Sequence, residues 1–422
     1  MHGSAKVEAD PIMPAWPTCR GLPTNATPDQ MPDSESCSEG YEDIVQVLQD
    51  NDACEFDDSS KFEVQVKGNL RKNLHFWRGI GASPFILSVV EEGYKLPFFA
   101  FPEPAAFKNN RSALEHAEFV ESALEVLCQS GHVIRCAVPP YVINPLPVSV
   151  QANGKKRLIL DLRYVNRHLQ KKRIKYEDWK VAISYFEVGA YMFTFDLKSG
   201  YHHIEVATVH QCYLGFSWVD PVSKRTQFYR FTVLPFRLSS APHIFTKVLK
   251  PLVKHWRLNG ARIALFLDDG WGIASSRDEC ASLSKTVKDD LLSAGFVSND
   301  DKSVWEPCQS ILWLGILWHS DSGAIEISER RVAKIVSTVC SIIDCEFVIS
   351  ARCLASFRGK KIPTSPVVGN ISRIMTRHCP MSSACAPYRD GFSELDQYIQ
   401  DEIIFWKENI DYVKSRFCFF VR

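Results

Sequence analysis

The sequence predicts an α+β fold divided into several lobes, and three observations carry that prediction. Helical and strand patterns follow one another irregularly instead of alternating strand–helix–strand, which argues against a doubly wound sheet. At 422 residues the chain exceeds one ordinary core and fits two to four lobes around a groove. Two apolar strands, 72 residues apart, each end in carboxylates.

The N-terminal segment, 1–68, reads as acidic and disordered. Residues 1–60 hold 13 Asp and Glu against Lys6 and Arg20, and they are rich in Pro and Ser without sustained periodicity, apart from one short candidate helix at Asp43–Gln49. The net charge of zero therefore conceals a basic body of 47 Lys and Arg against 36 Asp and Glu, a balance that suits phosphate binding. With 45% apolar residues but no run of about 18, no membrane span is expected. The absence of a basic, then apolar, leader points to an intracellular setting, cytoplasm or nucleus. Fourteen cysteines include no C-x-x-C pair and read as reduced thiols. Cys340, Cys345 and Cys353 with His378 match no common zinc spacing.

Folded character begins at Asn69–Gly81, where basic and aromatic residues interleave, as they do on a nucleic-acid surface or in a packed entry segment with its cations in solvent. From Ser112 to Ser130 the positions Leu114, Ala117, Val120, Leu124 and Leu127 predict a helix, with Gly131 as its stop. A Pro-rich stretch leads into Val148–Val150, a polar turn at Ala152-Asn153-Gly154 and a strand at Arg157–Leu162, a hairpin-like unit. Beyond Ser328 the pattern is helical through Val332, Ile335, Val336 and Val339, then Leu354 and Phe357.

Tyr191–Leu197 is a strand that delivers Asp196 to its own end. Ile263–Leu267 is a second apolar strand, interrupted by Asp268-Asp269-Gly270 before Trp271–Ala274 resumes, so two more acids sit at a hairpin turn. By itself the second site reads as a type I′ turn, for which Asp-Gly is preferred. Three carboxylates on two strand tips are costly unless a cation lies between them. Mg²⁺, or Mn²⁺, at Asp196, Asp268 and Asp269 supplies that cation, and two such ions suit in-line phosphoryl transfer to a 3′-hydroxyl.

The segments Phe-Thr-Phe-Asp-Leu-Lys-Ser-Gly-Tyr (193–201), Leu-Pro-Phe-Arg-Leu-Ser-Ser-Ala-Pro (234–242) and Phe-Leu-Asp-Asp (266–269) resemble, in this order, the motifs of reverse transcriptases. LILDLRYVN (158–166), HQCYLGFSW (210–218) and FTKVLKPLVKHWR (245–257) look most similar to retrotransposons of the DIRS type, which integrate with a tyrosine recombinase. The resemblance covers about residues 69–422. It implies a right-hand polymerase fold: fingers at 69–190 with a second part near 205–245, a palm with a ferredoxin-like sheet at 191–325, and a helical thumb or connection at 326–422. It also implies an RNA-directed DNA polymerase acting on an RNA or DNA template-primer with dNTPs. Oligomeric state is not legible.

Within the resemblance, Lys155 and Arg157 clasp the incoming triphosphate, for which a point charge and a forked guanidinium are suited; a charged hairpin tip is the structural alternative. Asp161, Arg163 and Asn166 match the family's D-x-R-x-x-N beside the template, or form a surface Asp–Arg pair. Tyr201 matches the aromatic that excludes a 2′-hydroxyl, or is a packed tyrosine. Phe236 floors the nucleotide pocket. Arg237 and Phe266 depart from the family, standing where glycine and tyrosine are usual. Lys302 corresponds to the lysine that meets the departing pyrophosphate, or is a solvated turn lysine. Trp313-Leu314-Gly315 resembles the primer grip, or an ordinary strand with a glycine bend. Arg330, Arg331, Lys334, Arg358, Lys360 and Lys361 are candidate phosphate contacts or a solvated helix face.

Overall fold

The computed structural model describes residues 65–151, 154–220, 224–379 and 391–418. The acidic segment to residue 64, with the candidate helix Asp43–Gln49, lies outside the described residues, as does most of the polar turn at 152–154.

Five strands form a mixed sheet in the order β1-β3-β7-β8-β2, from β1 (Ala105–Ala106), β2 (Val133–Cys136), β3 (Val142–Asn144), β7 (Gly215–Val219) and β8 (Thr226–Phe231). A separate ribbon pairs β4 (Val148–Val150) with β5 (Lys156–Leu158). The strand expected at Arg157–Leu162 is thus centred earlier and is shorter. The helix expected over 112–130 is broken: His116 leaves helical dihedrals at φ −119°, ψ 42°, giving Arg111–Glu115 and Ala117–Gln129. Leu114, expected in the apolar stripe, is correspondingly exposed. Gly131 follows with φ 72°, the left-handed stop its sequence position predicts. In the entry segment, Trp77 is fully buried and its indole N–H donates to Ala294 O at 3.0 Å, so that tryptophan is packing and not surface.

The central sheet is antiparallel in the order β11-β6-β10-β9, from β6 (Tyr191–Asp196), β9 (Arg262–Phe266), β10 (Asp269–Ala274) and β11 (Val304–Cys308). Alternation sorts its side chains between two cores. Phe193, Phe195, Ile263 and Leu265 enter one core, shared with the five-stranded sheet and the helices Ala241–Leu258 and Arg277–Ala294. Met192, Ala264, Trp271 and Ile273 enter the other, shared with the C-terminal helices. Two glycines make this pairing possible. Gly270 lies opposite Phe195 and Gly272 opposite Phe193, and a Cβ on either would overlap the facing ring.

The helix Arg277–Ala294 shows how local sequence fixes its ends. Ser276 Oγ accepts from Glu279 N at 3.3 Å, Asp278 and Glu279 sit in the first turn, and Gly295 closes it at φ 92°. The second core is completed by a four-stranded sheet, β12 (Ser310–Trp313), β13 (Ile316–His319), β14 (Ala324–Ile327) and β15 (Ser415–Phe417), and by the helices Glu329–Asp344, Ala351–Lys361 and Gln397–Val413. The helical spacing beyond Ser328 is met by buried Ile335, Val339, Leu354 and Phe357.

Among the described residues no helix is long and apolar enough to cross a membrane.

Candidate active site

The two acid-bearing strands lie side by side. Asp269 is the direct cross-strand partner of Asp196, and Leu197 N donates to Asp268 O at 3.1 Å, so all three aspartates lie at one end of the two inner strands of the central sheet. The turn between β9 and β10 is Leu267-Asp268, with Leu267 at φ 54°. The Asp-Gly turn considered from sequence is therefore not formed. Asp269 and Gly270 are already strand, and Gly270 is set by the Phe195 ring and not by turn geometry. A leucine in the left-handed region is strained by about 1–2 kcal/mol, held by burial of its side chain in the first core.

Asp196 is gripped from the loop 298–303. Asn299 N donates to Asp196 O at 2.7 Å, Ser303 Oγ accepts from Asp196 N at 3.1 Å, and Ser303 Oγ itself donates to Asn299 O. The same loop brings Lys302 Nζ to 4.0 Å from Asp196 Oδ2, where the lysine is 57% and the aspartate 14% exposed. Lysine and catalytic-type acid are thus brought together.

Tyr201 packs between Phe236 at 5.1 Å and Phe245 at 5.2 Å between ring centroids. Burial pushes its phenol well above the usual value, and the Asp268 charge adds to this. Asp268 also overhangs Gly200, where a Cβ would sit 3.4 Å from Oδ2. Tyr201, Phe236 and Asp268 therefore form one cluster.

Arg237 has φ 71°, which explains why glycine suits this position and what an arginine here costs. Asn166 holds the loop in that shape. Its Nδ2 donates to Arg237 O at 2.8 Å, and its Oδ1 accepts from Ser239 N at 2.9 Å. Asn166 was expected beside the template, and its amide braces the 237–239 loop, 71 residues away. Arg163 makes the bidentate pair with Asp161, Nη2 to Oδ2 at 2.7 Å.

Trp313, Leu314 and Gly315 form the tip of the β12–β13 hairpin, with Leu314 at φ 48° and Gly315 at φ 69°. Trp313 Nε1 donates to Asp269 O at 3.4 Å, which ties this hairpin to the acid-bearing strand. Gly315 packs against the Arg331 guanidinium, whose pKa burial lowers to about 10. Arg331 is half-buried, with Nη1 donating to Pro363 O at 3.3 Å. Lys361 is fully buried beside Phe357 and Trp406, so for it the candidate phosphate role is corrected. Lys360 Nζ donates to Thr338 Oγ1 at 2.7 Å. Arg330 and Lys334 are exposed.

Lys155 directly precedes β5 and Arg157 lies within it opposite Ser149, in a ribbon whose base is fixed by Val148 N donating to Ser112 Oγ at 3.1 Å.

Among the described residues no three His, Cys, Asp or Glu close on one point as a preformed metal cage. That arrangement is compatible with Mg²⁺, which keeps several waters and takes one or two carboxylates together with substrate phosphates. The donor set, hard carboxylate oxygens from Asp196, Asp268 and Asp269, fits such an ion.

Residues 149–317 match the family model described as reverse transcriptase (RNA-dependent DNA polymerase). The chain is 22% identical over 207 residues to the Gag-Pol polyprotein of avian reticuloendotheliosis virus, covering 48% of this chain and 18% of that protein. It is 26% identical over 172 residues to the retrovirus-related Pol polyprotein from transposon 412 of Drosophila melanogaster, covering 40% and 13%. Against the corresponding protein from transposon gypsy it is 24% identical over 224 residues, covering 52% and 21%. The chain thus spans less than a third of each of these relatives. The foamy viral protease-reverse transcriptase in complex with RNA/DNA hybrid aligns at TM-score 0.54 and 15% identity, covering 89% of this chain and 47% of that one. Residues 149–317 are thus similar to the reverse transcriptase domain found in retroviral and retrotransposon Pol polyproteins, and the fold is the right-hand polymerase fold.

Proposed function

We propose that this chain is an RNA-directed DNA polymerase, a nucleotidyltransferase that extends a primer with dNTPs on an RNA or DNA template. The observation that carries this reading is the cross-strand pairing of Asp196 with Asp269, with Asp268 at the adjoining turn and Lys302 alongside. Asp196, Asp268 and Asp269 hold Mg²⁺ or Mn²⁺, which when bound activates the 3′-hydroxyl and stabilises the pyrophosphate that leaves. The chain's own residues orient and select. Tyr201, fixed between two phenylalanines, presents a wall where a 2′-hydroxyl would project. Phe236 floors the pocket, Asn166 holds the loop that continues from it, and Lys302 offsets charge building on the leaving group. Lys155 and Arg157 bind the triphosphate, Arg163 lies toward the template, and Trp313-Leu314-Gly315 hold the primer end.

Fingers at 69–190 and near 205–245, palm at 191–325 and thumb at 326–422 are the lobes of this reading. The three phrases at 158–166, 210–218 and 245–257 support a DIRS-type retrotransposon as its source.

Arg237 favours a second reading, a noncatalytic nucleic-acid-binding derivative, because a left-handed arginine replaces glycine in the pocket loop. Primer extension on poly(rA)/oligo(dT) with dTTP and Mg²⁺ separates the two. Extension by the native chain supports the polymerase, with discrimination against the ribonucleotide lost in Tyr201→Ala. Extension only in Arg237→Gly marks a disabled copy, and silence in both with tight duplex binding supports the derivative.

A further inference from the structure

The strand that ends at the Asp268 turn is the outermost of the central sheet, in the order β11-β6-β10-β9, and side chains take the place of a further ladder along its outer side. A strand edge leaves backbone donors and acceptors to be satisfied, and residues two apart turn theirs to the same side. One forked ion pair serves both. Glu177 Oε2 accepts from Leu265 N at 3.2 Å, while Arg257 Nη2 and Nε donate to Ile263 O at 2.6 and 3.2 Å. The two side chains are joined twice, Nη1 to Oε1 at 2.8 Å and Nη2 to Oε2 at 2.7 Å.

This clamp ties β9 to both of its helical neighbours. Arg257 stands in the last turn of the helix Ala241–Leu258. Glu177 lies in the segment that enters the helix Trp179–Tyr185, where Asp178 caps the first turn by accepting from Lys180 N at 2.9 Å. One residue earlier, Tyr176 packs its ring on Phe266 at 5.4 Å, and its phenol lies within electrostatic reach of Tyr201. Three consecutive residues thus fix, in turn, the end of β9, its outer edge and the adjoining helix. Phe266 leads directly into the Leu267-Asp268 turn.

A second ion pair on the same strand shows what the arrangement adds. Arg262, at the opposite end of β9 from Asp268, donates through Nη1 to Glu187 Oε2 at 2.7 Å and through Nη2 to Ser275 Oγ at 2.9 Å, both of them side-chain contacts. Its pair is 30% and 33% exposed, against 30% and 30% for Arg257 and Glu177, so solvent screens the two alike. They differ in the backbone groups that Arg257 and Glu177 hold.

We propose that Glu177, Arg257 and Tyr176 are positioning residues for the carboxylate centre, holding the outer edge and the end of β9 and thereby fixing where Asp268 stands for the metal. The fork of Arg257 is essential to this, because the point charge of a lysine does not span Glu177 and Ile263 O in one fixed geometry. The assignment rests on the polymerase reading for the reaction that the centre serves, but metal uptake reads the placement of the carboxylates without it.

The test is Mn²⁺ uptake by the full chain, read from the EPR signal of the free ion, beside primer extension across a Mg²⁺ series and thermal unfolding. Arg257→Lys weakens Mn²⁺ binding and raises the half-saturating Mg²⁺ by about tenfold. Tyr176→Leu, which leaves the ion pair in place, shifts both in the same direction by at least about threefold. Arg262→Lys lowers the Tm as Arg257→Lys does but leaves both metal readouts within about twofold of native. Native-like Mn²⁺ binding in Arg257→Lys overturns the proposal, and so do equal metal losses in Arg257→Lys and Arg262→Lys, which mark general loosening of the strand. Weakened Mn²⁺ uptake in the variants of a chain that extends no primer supports the clamp and sinks the polymerase reading alone. A native chain that takes up no Mn²⁺ overturns both.

Discussion

Replacing Gly270 with alanine tests the packing that aligns the acid-bearing strands. Gly270 lies opposite Phe195, and a Cβ there overlaps three atoms of the ring, which is itself stacked on Trp305 at 5.6 Å and 1°. The ring has nowhere to withdraw without disturbing Trp305. Overpacking of this kind costs about 1–3 kcal/mol, and the better strand propensity of alanine returns about 0.5–1 kcal/mol. The net expectation is a loss of about 1–2 kcal/mol, read as a Tm lowered by about 2–4 °C. Activity falls further than stability, because Asp269 directly precedes Gly270 and Asp196 directly follows Phe195. A displacement near 1 Å at reacting groups costs about 10²-fold in rate. Thermal unfolding and primer extension read the two effects. Adding Phe195→Leu removes the overlap, so the double variant is less destabilised than the sum of the singles by at least about 0.5 kcal/mol. Native-like Tm and extension in Gly270→Ala, or strict additivity with Phe195→Leu, would refute the reasoning.

Asn166→Ala removes both hydrogen bonds that hold the Arg237–Ser239 loop and is expected to cost about 1–3 kcal/mol, with KM for dNTP rising more than the Kd for duplex; equal changes in both would contradict a pocket role. Trp313→Phe keeps the ring but removes the N–H that reaches Asp269 O, so unfolding shifts by about 1 kcal/mol or less while extension falls severalfold, checked by urea titration beside steady-state rates. His203 is held neutral, because Nε2 accepts from Val297 N and Nδ1 therefore donates to Gly200 O; burial lowers its pKa to about 3. With the folded pKa below the unfolded 6.5, stability is complete above pH 6.5 and is lost as pH falls toward 3, by up to roughly 5 kcal/mol. His203→Gln should flatten the decline measured between pH 6.5 and 5, and an unchanged slope would show that other groups dominate.

The acids were legible because their signals are local: an apolar strand ending in Asp196, and a second strand followed by Asp268-Asp269. What surrounds them depends on register, which no local pattern encodes. That Gly270 sits under Phe195 follows only once β6 and β10 are paired, and before that the Asp-Gly pair looked like a turn. The Arg237 departure was visible in the motif, but its left-handed φ and its brace from Asn166 join segments 71 residues apart. Arg331 and Lys361 look like solvated cations in sequence, because charge predicts exposure unless the tertiary fold supplies other packing. In this chain Gly315 presses on one, while Phe357 and Trp406 enclose the other. The break at His116 left no mark in an otherwise continuous apolar stripe.

The most direct test of the carboxylate centre is primer extension with Mg²⁺ by the native chain and by Asp196→Asn, Asp268→Asn, Asp269→Asn and Asp289→Asn, the last an exposed helix residue as control. If the three aspartates form the metal-binding centre, the first three variants lose extension by at least about 10³-fold while still binding duplex, and Asp289→Asn is native-like. Extension persisting in any of the three would contradict it.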